Sequence, residues 1–359
     1  MKALFDKQNL KNIGVRTAGT LAIPAAFAVI VLIICGANGV MILTDVSLFS
    51  NFLSYTAIVM LTTFALSINL GSGRFDFSLG SMATLSSVVG AKITYAMLGG
   101  SSGSAIVMLI FCLLFGAIFG LISGGLYILL KIPPIITSLG VTLIYEGIAF
   151  VLTEGRYVMT EVQNPSIMSF GSSWYYYLII IFVALALIYF IFDKTKFGYD
   201  YKALREGQKV SVNTGIKEIP NALICYLIAG SLMGLVGFIQ TTRLPSINAG
   251  VLNFGSIGVM FTAFLPMFIG GFLGRFSNDK LGYLLAAVSM SLLNSMFALF
   301  AANIDSSVRS IVEAVLLVAF LIFLNNEQTC KDLVTGKLFK KWYLAIKSKI
   351  QDKKARKGV

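Results

Sequence analysis

Ten apolar runs, each about 20 residues long, decide what this chain can fold into. A run of that length crosses the hydrocarbon of a bilayer as an α-helix, which satisfies its own backbone hydrogen bonds there. Hydrophobic residues make up 57 % of the chain and charged residues only 12 %. The sequence therefore predicts an all-α membrane bundle of about ten spans, with an inverted repeat of two five-span halves as an option. The expected spans are residues 17–36, 51–70, 79–98, 104–130, 134–153, 174–192, 219–241, 256–273, 281–301 and 308–324.

The basic residues indicate how the chain is oriented in the membrane. Of its 28 Lys and Arg residues, 20 lie in a basic N-terminus (1–16), in a polar loop (193–218) and in a basic tail (325–359). Because Lys and Arg accumulate on the cytoplasmic side, we expect all three segments to be cytoplasmic and residues 17–324 to form the transmembrane domain. Such basic flanks more often fix topology than bind nucleic acid, so the expected partner is lipid and not nucleic acid. The tail is either an amphipathic helix on the inner leaflet or a solvated extension.

Several kinds of chemistry are excluded by missing residue types. The chain has no histidine, which removes His-based nucleophile pairs and imidazole metal sites. Its four cysteines have neither metal nor redox spacing, and no phosphate-binding loop is present. We therefore expect no catalytic residues, no metal and no cofactor. If the protein moves a solute with energy from ATP, a separate polypeptide must hydrolyse the ATP.

Few ionisable residues fall within or beside the spans. Lys92, Glu146 and Glu313 are the clearest, and Arg74 and Asp76 occupy a break between the second and third runs. Because a charge is costly to place in lipid, an ionisable residue within a span is first interpreted as functional. Lys92 can instead extend its amine to the membrane interface. An ion-coupled transporter usually strings acidic groups or histidines along its path, and this chain has few.

Two stretches carry a family resemblance. Residues 73–81 read Gly-Arg-Phe-Asp-Phe-Ser-Leu-Gly-Ser, which resembles the Gly-Gly-Ile-Asp-Leu-Ser-Val-Gly-Ser signature of the permease subunits of ribose-type ABC sugar importers. Residues 131–140 read Lys-Ile-Pro-Pro-Ile-Ile-Thr-Ser-Leu-Gly and are similar to the Lys-x-Pro-Pro-Phe-Ile-x-Thr-Leu-Gly segment of the same permeases. That group belongs to the branched-chain amino acid/ribose/nucleoside permease superfamily. Arg74 stands where the signature has a small residue.

A third stretch resembles the cytoplasmic loop by which these permeases dock onto their ATPase. It runs from Ala203 through Gly207 and continues to Lys217, inside the longest polar loop of the chain. Gly207 and Gly215 bound a segment long enough for about two helical turns. The alternative is a solvated connector. The resemblance places the docking contacts at Leu204, Arg205, Glu206, Gly207, Thr214 and Gly215.

The resemblance implies a non-enzymatic permease subunit that works by alternating access in the bacterial plasma membrane. A cytoplasmic ABC ATPase, an extracytoplasmic solute-binding protein and a second permease subunit, identical or related, would be its partners. The candidates for the translocation path are Arg74, Asp76, Ser78 and Glu146, with Asp76 or Ser78 as a plain helix cap being the alternative. Three other functions stay open: a permease for a nucleoside or a sugar-derived signal, an ion-coupled secondary transporter, and a membrane scaffold without transport.

Overall fold

The computed structural model describes residues 7–37, 45–159, 161–244, 246–299 and 306–326. The chain divides into two compact units, Met1–Asp305 and Ser306–Val359. The described part of the second unit is a single helix with its following turn. The amphipathic helix expected in the tail lies outside the described residues.

Helices make up almost all of the described structure. The first unit contains α1 (Lys7–Ala37), α2 (Val46–Gly71), α3 (Leu79–Leu98), α4 (Ser104–Leu130), α5 (Pro134–Thr153), α6 (Pro165–Ser172), α7 (Trp174–Lys194), α8 (Lys196–Glu206), α9 (Gln208–Asn213), α10 (Glu218–Arg243), α11 (Gly258–Phe261), α12 (Phe264–Gly274) and α13 (Asp279–Leu299). The second unit contains α14 (Ser306–Asn325). The two short strands β1 (Tyr157–Val158) and β2 (Ile247–Asn248) pair antiparallel, with Tyr157 opposite Asn248.

The predicted all-α membrane bundle is confirmed. Each of the ten expected runs is helical over most of its described residues, and nine segments of the described chain are long and apolar enough to cross a membrane. The tenth helix, α3, has 20 residues but a more polar composition. Most of its residues are buried, and Ser81 and Ser86 donate their hydroxyl protons to carbonyl oxygens one turn earlier. A buried helix can therefore carry these serines without unsatisfied polar groups.

One expected span is broken instead of continuous. The run at 256–273 begins with a 3₁₀ turn, Gly255–Ile257, continues through α11 and resumes as α12. Asn253 and Phe254, just before the 3₁₀ turn, have left-handed backbone angles with φ of 59° and 67°. Apolar composition alone did not predict this interruption, because it does not distinguish a straight helix from one that is bent and re-started.

Helix α10 lies at the centre of the first unit and packs against α4, α2 and α3. Its contact with α4 is made backbone to backbone. A methyl group added at Gly116 would lie 2.4 Å from the carbonyl oxygen of Gly230, far inside van der Waals contact. The small residues of these two helices therefore allow their backbones to pack closely.

The two ends of the bundle are distinguished by what covers them. At one end, the phenol of Tyr201 on α8 donates towards the carbonyl oxygens of Ser67 and Ile68, near the last turn of α2. Helix α10 begins at the same end, directly after α9. The pair of strands β1 and β2 lies at the other end, beyond the last residue of α10.

Candidate translocation site and docking loop

Asp76 organises the break between α2 and α3. Its Oδ1 accepts hydrogen bonds from the backbone N–H of Ser78 at 2.9 Å and from the Ser78 hydroxyl at 2.6 Å. Its Oδ2 accepts a hydrogen bond from the amide of Asn69 at 3.2 Å, and Asp76 and Ser78 are fully buried in the single chain. The carboxylate therefore ties the last turn of α2 to the start of α3, and it satisfies a backbone donor that the break leaves free.

Ser78 extends this polar cluster towards a third helix. Its Oγ lies 3.3 Å from the Oγ of Ser123 on α4. Gly73 opens the break with φ of +76°, in the left-handed region that suits glycine. The break is thus held by side chains from α2 and α4 as well as by its own residues.

Arg74 points away from this cluster and towards α10. It is 4 % exposed, and its Nη2 lies 2.7 Å from Oε1 of Glu218, the first residue of α10. The same Oε1 accepts a hydrogen bond from the side-chain amide of Gln208 at 2.6 Å. Gln208 is the first residue of α9, so Glu218 connects the α2–α3 break with the predicted docking loop.

Glu146 lies on α5 and is bound to the second break. Its Oε2 accepts the backbone N–H of Phe254 at 3.0 Å, and its Oε1 accepts the N–H of Ser256 at 2.9 Å. The carboxylate is buried, at 3 % exposure of the residue, and caps the 3₁₀ turn that precedes α11. Among the path candidates it stands apart from Asp76 and Ser78, since it holds a different piece of broken backbone.

The two breaks meet at Gly80. A methyl group added to Gly80 would lie only 1.9 Å from the carbonyl oxygen of Ser256, so this position on α3 admits hydrogen alone. The glycine of the 73–81 stretch therefore lets α3 contact the 3₁₀ turn directly. Gly80 brings the α2–α3 break next to the turn that Glu146 caps.

The predicted docking loop consists of two helices, α8 and α9, of which the sequence indicated only the second. Gly207 separates them with an extended backbone (φ of −171°), and Gly215 follows α9 with φ of +94°. Leu204 is buried under the loop, whereas Arg205, Glu206 and Thr214 are exposed. Arg205 Nη1 lies 3.6 Å from Asp279 on α13, and Ser211 donates to the carbonyl oxygen of Ala203. The loop is thus fastened to the bundle and presents α9 outward.

Sequence reasoning missed several residues of these sites. Glu218 and Gln208 were not singled out, because no local pattern pairs them with Arg74. Ser256 contacts Glu146 and Gly80 through its backbone atoms, and every residue type has these atoms, so its identity does not indicate the role. Val210 could have been noticed: it is 70 % exposed on α9, and an apolar side chain in the middle of a polar loop signals a contact surface.

Within the described residues, no group of three or more Cys, Asp or Glu side chains is placed to hold a metal ion. The carboxylates at the two breaks instead bind backbone amides, hydroxyls and an arginine. This chemistry fixes irregular backbone inside a helical bundle, where it is tolerated only if its polar groups are satisfied by protein or lie along a water-filled cavity.

Comparison with known proteins identifies the family and the relatives of this chain. The model of the family described as branched-chain amino acid transport system / permease component matches residues 48–324. The galactofuranose transporter permease protein of Escherichia coli (strain K12) is 24 % identical over 275 residues, which covers 75 % of this chain and 77 % of that protein. The ribose import permease protein of Bacillus subtilis (strain 168) is 26 % identical over 200 residues, covering 55 % of this chain and 61 % of the relative.

The L-arabinose transport system permease protein of Escherichia coli (strain K12) is also similar, with 26 % identity over 271 residues, or 74 % of this chain and 78 % of that protein. No solved structure matches the chain. The family match covers the region from α2 to α14 and includes both breaks and the α8–α9 loop. The chain belongs to the branched-chain amino acid transport system / permease component family and is a membrane-spanning permease.

Proposed function

We propose that this chain is the membrane-spanning subunit of an ABC importer that carries a sugar or sugar-like solute across the bacterial plasma membrane. The names of its relatives, which include galactofuranose, ribose and L-arabinose permeases, support the sugar branch. The observation that carries the proposal is the connection from α9 through Glu218 to Arg74. It joins a surface suited to an energy-supplying partner with the break that holds the path candidates.

The proposed orientation places α8, α9 and both termini in the cytoplasm. Three segments, residues 1–16, 193–218 and 325–359, contain 20 of the 28 basic residues, and basic residues are retained on the cytoplasmic side. A cysteine introduced at Lys209, which is exposed on α9, tests this. We expect a membrane-impermeant thiol reagent to label it in inverted vesicles and not in intact cells. Labelling in intact cells would reverse the orientation.

The α8–α9 loop is the proposed docking surface for a cytoplasmic ATPase. Leu204 packs inward, and Arg205 pairs with Asp279, so a force on α9 is transmitted to the bundle and not absorbed by a flexible loop. The exposed side chain of Val210 offers an apolar anchor. Such anchors, once enclosed by a partner, contribute most of the affinity of an interface.

Variants of the loop test the docking. Val is strained at Gly215, whose φ is +94°, but not at Gly207, where an added methyl group would meet its nearest atom at 3.9 Å. We therefore expect Gly215→Val and Val210→Asp to reduce co-purification of the ATPase at least tenfold, and Gly207→Val to have a smaller effect. Val210→Thr, which keeps the branched shape, is the control. If Gly215→Val and Val210→Asp both co-purify with the ATPase as well as the wild type does, the loop is not part of the interface.

The proposed path runs beside the place where the two breaks meet. Interrupted helices at membrane depth are where transporters build solute sites, because free backbone groups can then face a cavity. Asp76 and Ser78 hold the first break, and Glu146 holds the second. Arg74 is connected to the α8–α9 loop through its ion pair with Glu218. A second permease subunit would complete the path from its other side, and an extracytoplasmic binding protein would deliver the solute.

Reconstitution decides between this function and its rivals. The chain is placed in liposomes with its ATPase and binding protein, and uptake of labelled D-ribose, L-arabinose and D-galactose is measured with and without ATP. We expect uptake of at least one sugar that requires all components. Uptake by the chain alone, driven by an ion gradient, would show a secondary transporter instead. Complete absence of uptake of all three sugars would contradict the proposal.

A further inference from the structure

A cavity of about 450 Å³ opens at the end of the bundle opposite the α8–α9 loop. It lies between the first turns of α2, the helix α6 and the last turn of α10. A volume of about 300–1,000 Å³ is typical of small-molecule sites. Six of the nine residues that line it have polar side chains: Ser47, Ser50, Asn51, Ser172, Thr242 and Arg243.

Arg243 is the strong hydrogen-bond donor of this cavity. Its guanidinium carbon lies 3.7 Å from the centre of the Tyr55 ring, so the flat group rests on an aromatic face and its orientation is fixed. Its Nε is enclosed and has no hydrogen-bond partner within the described structure. The guanidinium carries five N–H donors in all, and Arg243 is partly exposed where it lines the cavity, so an acceptor oxygen of a ligand can bind its other N–H groups.

The hydroxyl groups around Arg243 can act as hydrogen-bond acceptors for a ligand, whereas Arg243 can only donate. Ser50 donates its proton to the carbonyl oxygen of Gly171 at 3.4 Å, and Thr242 donates to that of Ile239 at 3.0 Å. Ser172 likewise donates to Met168 at 2.9 Å. Each hydroxyl oxygen is therefore left with lone pairs that can accept a proton from a ligand. An anion has no proton to give them, whereas a polyol both donates and accepts.

The position of the cavity suits the arrival of a solute. Helix α10 begins at Glu218, next to α9, and ends at Arg243 after 26 residues, a length of about 39 Å. That length crosses the whole hydrocarbon layer. In the orientation proposed above, the cavity therefore faces the extracytoplasmic side, where a binding protein would release its cargo.

We infer that this cavity is an outer loading site for a neutral polyhydroxylated solute of monosaccharide size, with Arg243 donating to a ring or hydroxyl oxygen. The inference rests on the proposed function and adds a binding site to it. Asn51, exposed at the rim, supplies both an amide donor and a carbonyl acceptor. The solute would be held here before it moves towards the breaks.

Equilibrium binding to the full chain in lipid nanodiscs tests the site. The probes are D-ribose, L-arabinose and D-galactose, the sugars also used for ATP-driven uptake. We expect the wild type to bind the sugar it transports. Arg243→Gln and Asn51→Ala should both weaken that binding. The loss for Arg243→Gln should be about tenfold or more, because this variant removes a charged hydrogen-bond donor. Asn51→Ala changes an exposed residue, so folding of this second variant is not at risk. Arg156→Gln is the matched control: it removes a cation at the same end, 81 % exposed and outside the cavity.

Two results would overturn the site while leaving the proposed function intact. In the first, a sugar is taken up with ATP by the complete importer but does not bind the chain alone. In the second, the sugar binds equally well to the wild type, Arg243→Gln and Asn51→Ala. If none of the three sugars is taken up, the proposed function fails and the loading site fails with it. Weaker binding confined to Arg243→Gln and Asn51→Ala supports the inference.

Discussion

Arg74 and Glu218 form an ion pair of 2.7 Å although 144 residues separate them in the chain. Arg74 belongs to the break between α2 and α3, and Glu218 begins α10 directly after the α8–α9 loop. Gln208 of α9 donates to the same oxygen of Glu218. A displacement of α9 by a docked ATPase would therefore act on Glu218 first and on Arg74 next.

Glu218→Gln should uncouple ATP hydrolysis from uptake. The substitution removes the negative charge that compensates the buried Arg74, and because Glu218 is partly exposed we expect a loss of stability of about 1–2 kcal/mol. Uptake per ATP hydrolysed, measured in proteoliposomes, should fall severalfold while the ATPase stays bound. The double exchange Arg74→Glu with Glu218→Arg should recover part of the coupling. The control Glu154→Gln changes an exposed carboxylate outside the docking loop. Equal coupling ratios for Glu218→Gln and Glu154→Gln would refute the connection.

Asp76→Ala should lower uptake while membrane insertion stays normal. The substitution removes the acceptors for Ser78 and Asn69, so the break loses the contacts that fix its shape. Asp45 is a matched control, because it caps α2 through Ser47 but is exposed. Asp45→Ala should cost about 1 kcal/mol in stability and lower uptake much less than Asp76→Ala does. If both variants transport like the wild type at equal protein level, Asp76 is only a dispensable cap.

Glu146→Gln should loosen the second break. Glutamine replaces one of the two carboxylate oxygens with an NH2 group, which cannot accept from the N–H of Phe254 or Ser256 that it would face. The remaining buried N–H is left without an acceptor, which costs about 1–3 kcal/mol. Hydrogen exchange should accelerate at residues 254–257, and the thermal midpoint should fall. Glu154→Gln alters an exposed carboxylate just after the same helix and should change neither. Unchanged exchange in Glu146→Gln would mean that the carboxylate does not hold the turn.

Gly80→Ala should separate α3 from the 3₁₀ turn. The added methyl group would lie 1.9 Å from the carbonyl oxygen of Ser256, so one backbone must move. We expect lower thermal stability in detergent and loss of uptake. Gly147→Ala is the control, since a methyl group there meets no atom within 4 Å and alanine favours a helix interior. A Gly80→Ala variant as stable and active as Gly147→Ala would contradict the close contact.

The order of the ten apolar spans was determined by the sequence alone. Ten apolar runs had to become helices, because lipid offers no partner for a free backbone group and a helix satisfies its own. The break at residues 72–78 was also predictable, since glycine, Asp76 and Ser78 interrupt an apolar pattern there. Gly207 and Gly215 predicted the bounds of α9 in the same way, through local conformational preference. Each of these signals acts within a few residues of the chain.

Only the tertiary structure decided which groups bind the charged side chains. Glu146 lies 110 residues from Ser256, and its role as the cap of a 3₁₀ turn has no counterpart in any local pattern. Arg74 could have faced lipid, a cavity or a carboxylate, and only the packing of α10 brings Glu218 to it. The cavity lined by Arg243 likewise arises where the ends of α2, α6 and α10 meet. The physical reason is common to all three: local sequence sets the shape of each helix, but which polar groups become neighbours depends on how helices distant in the chain are packed together.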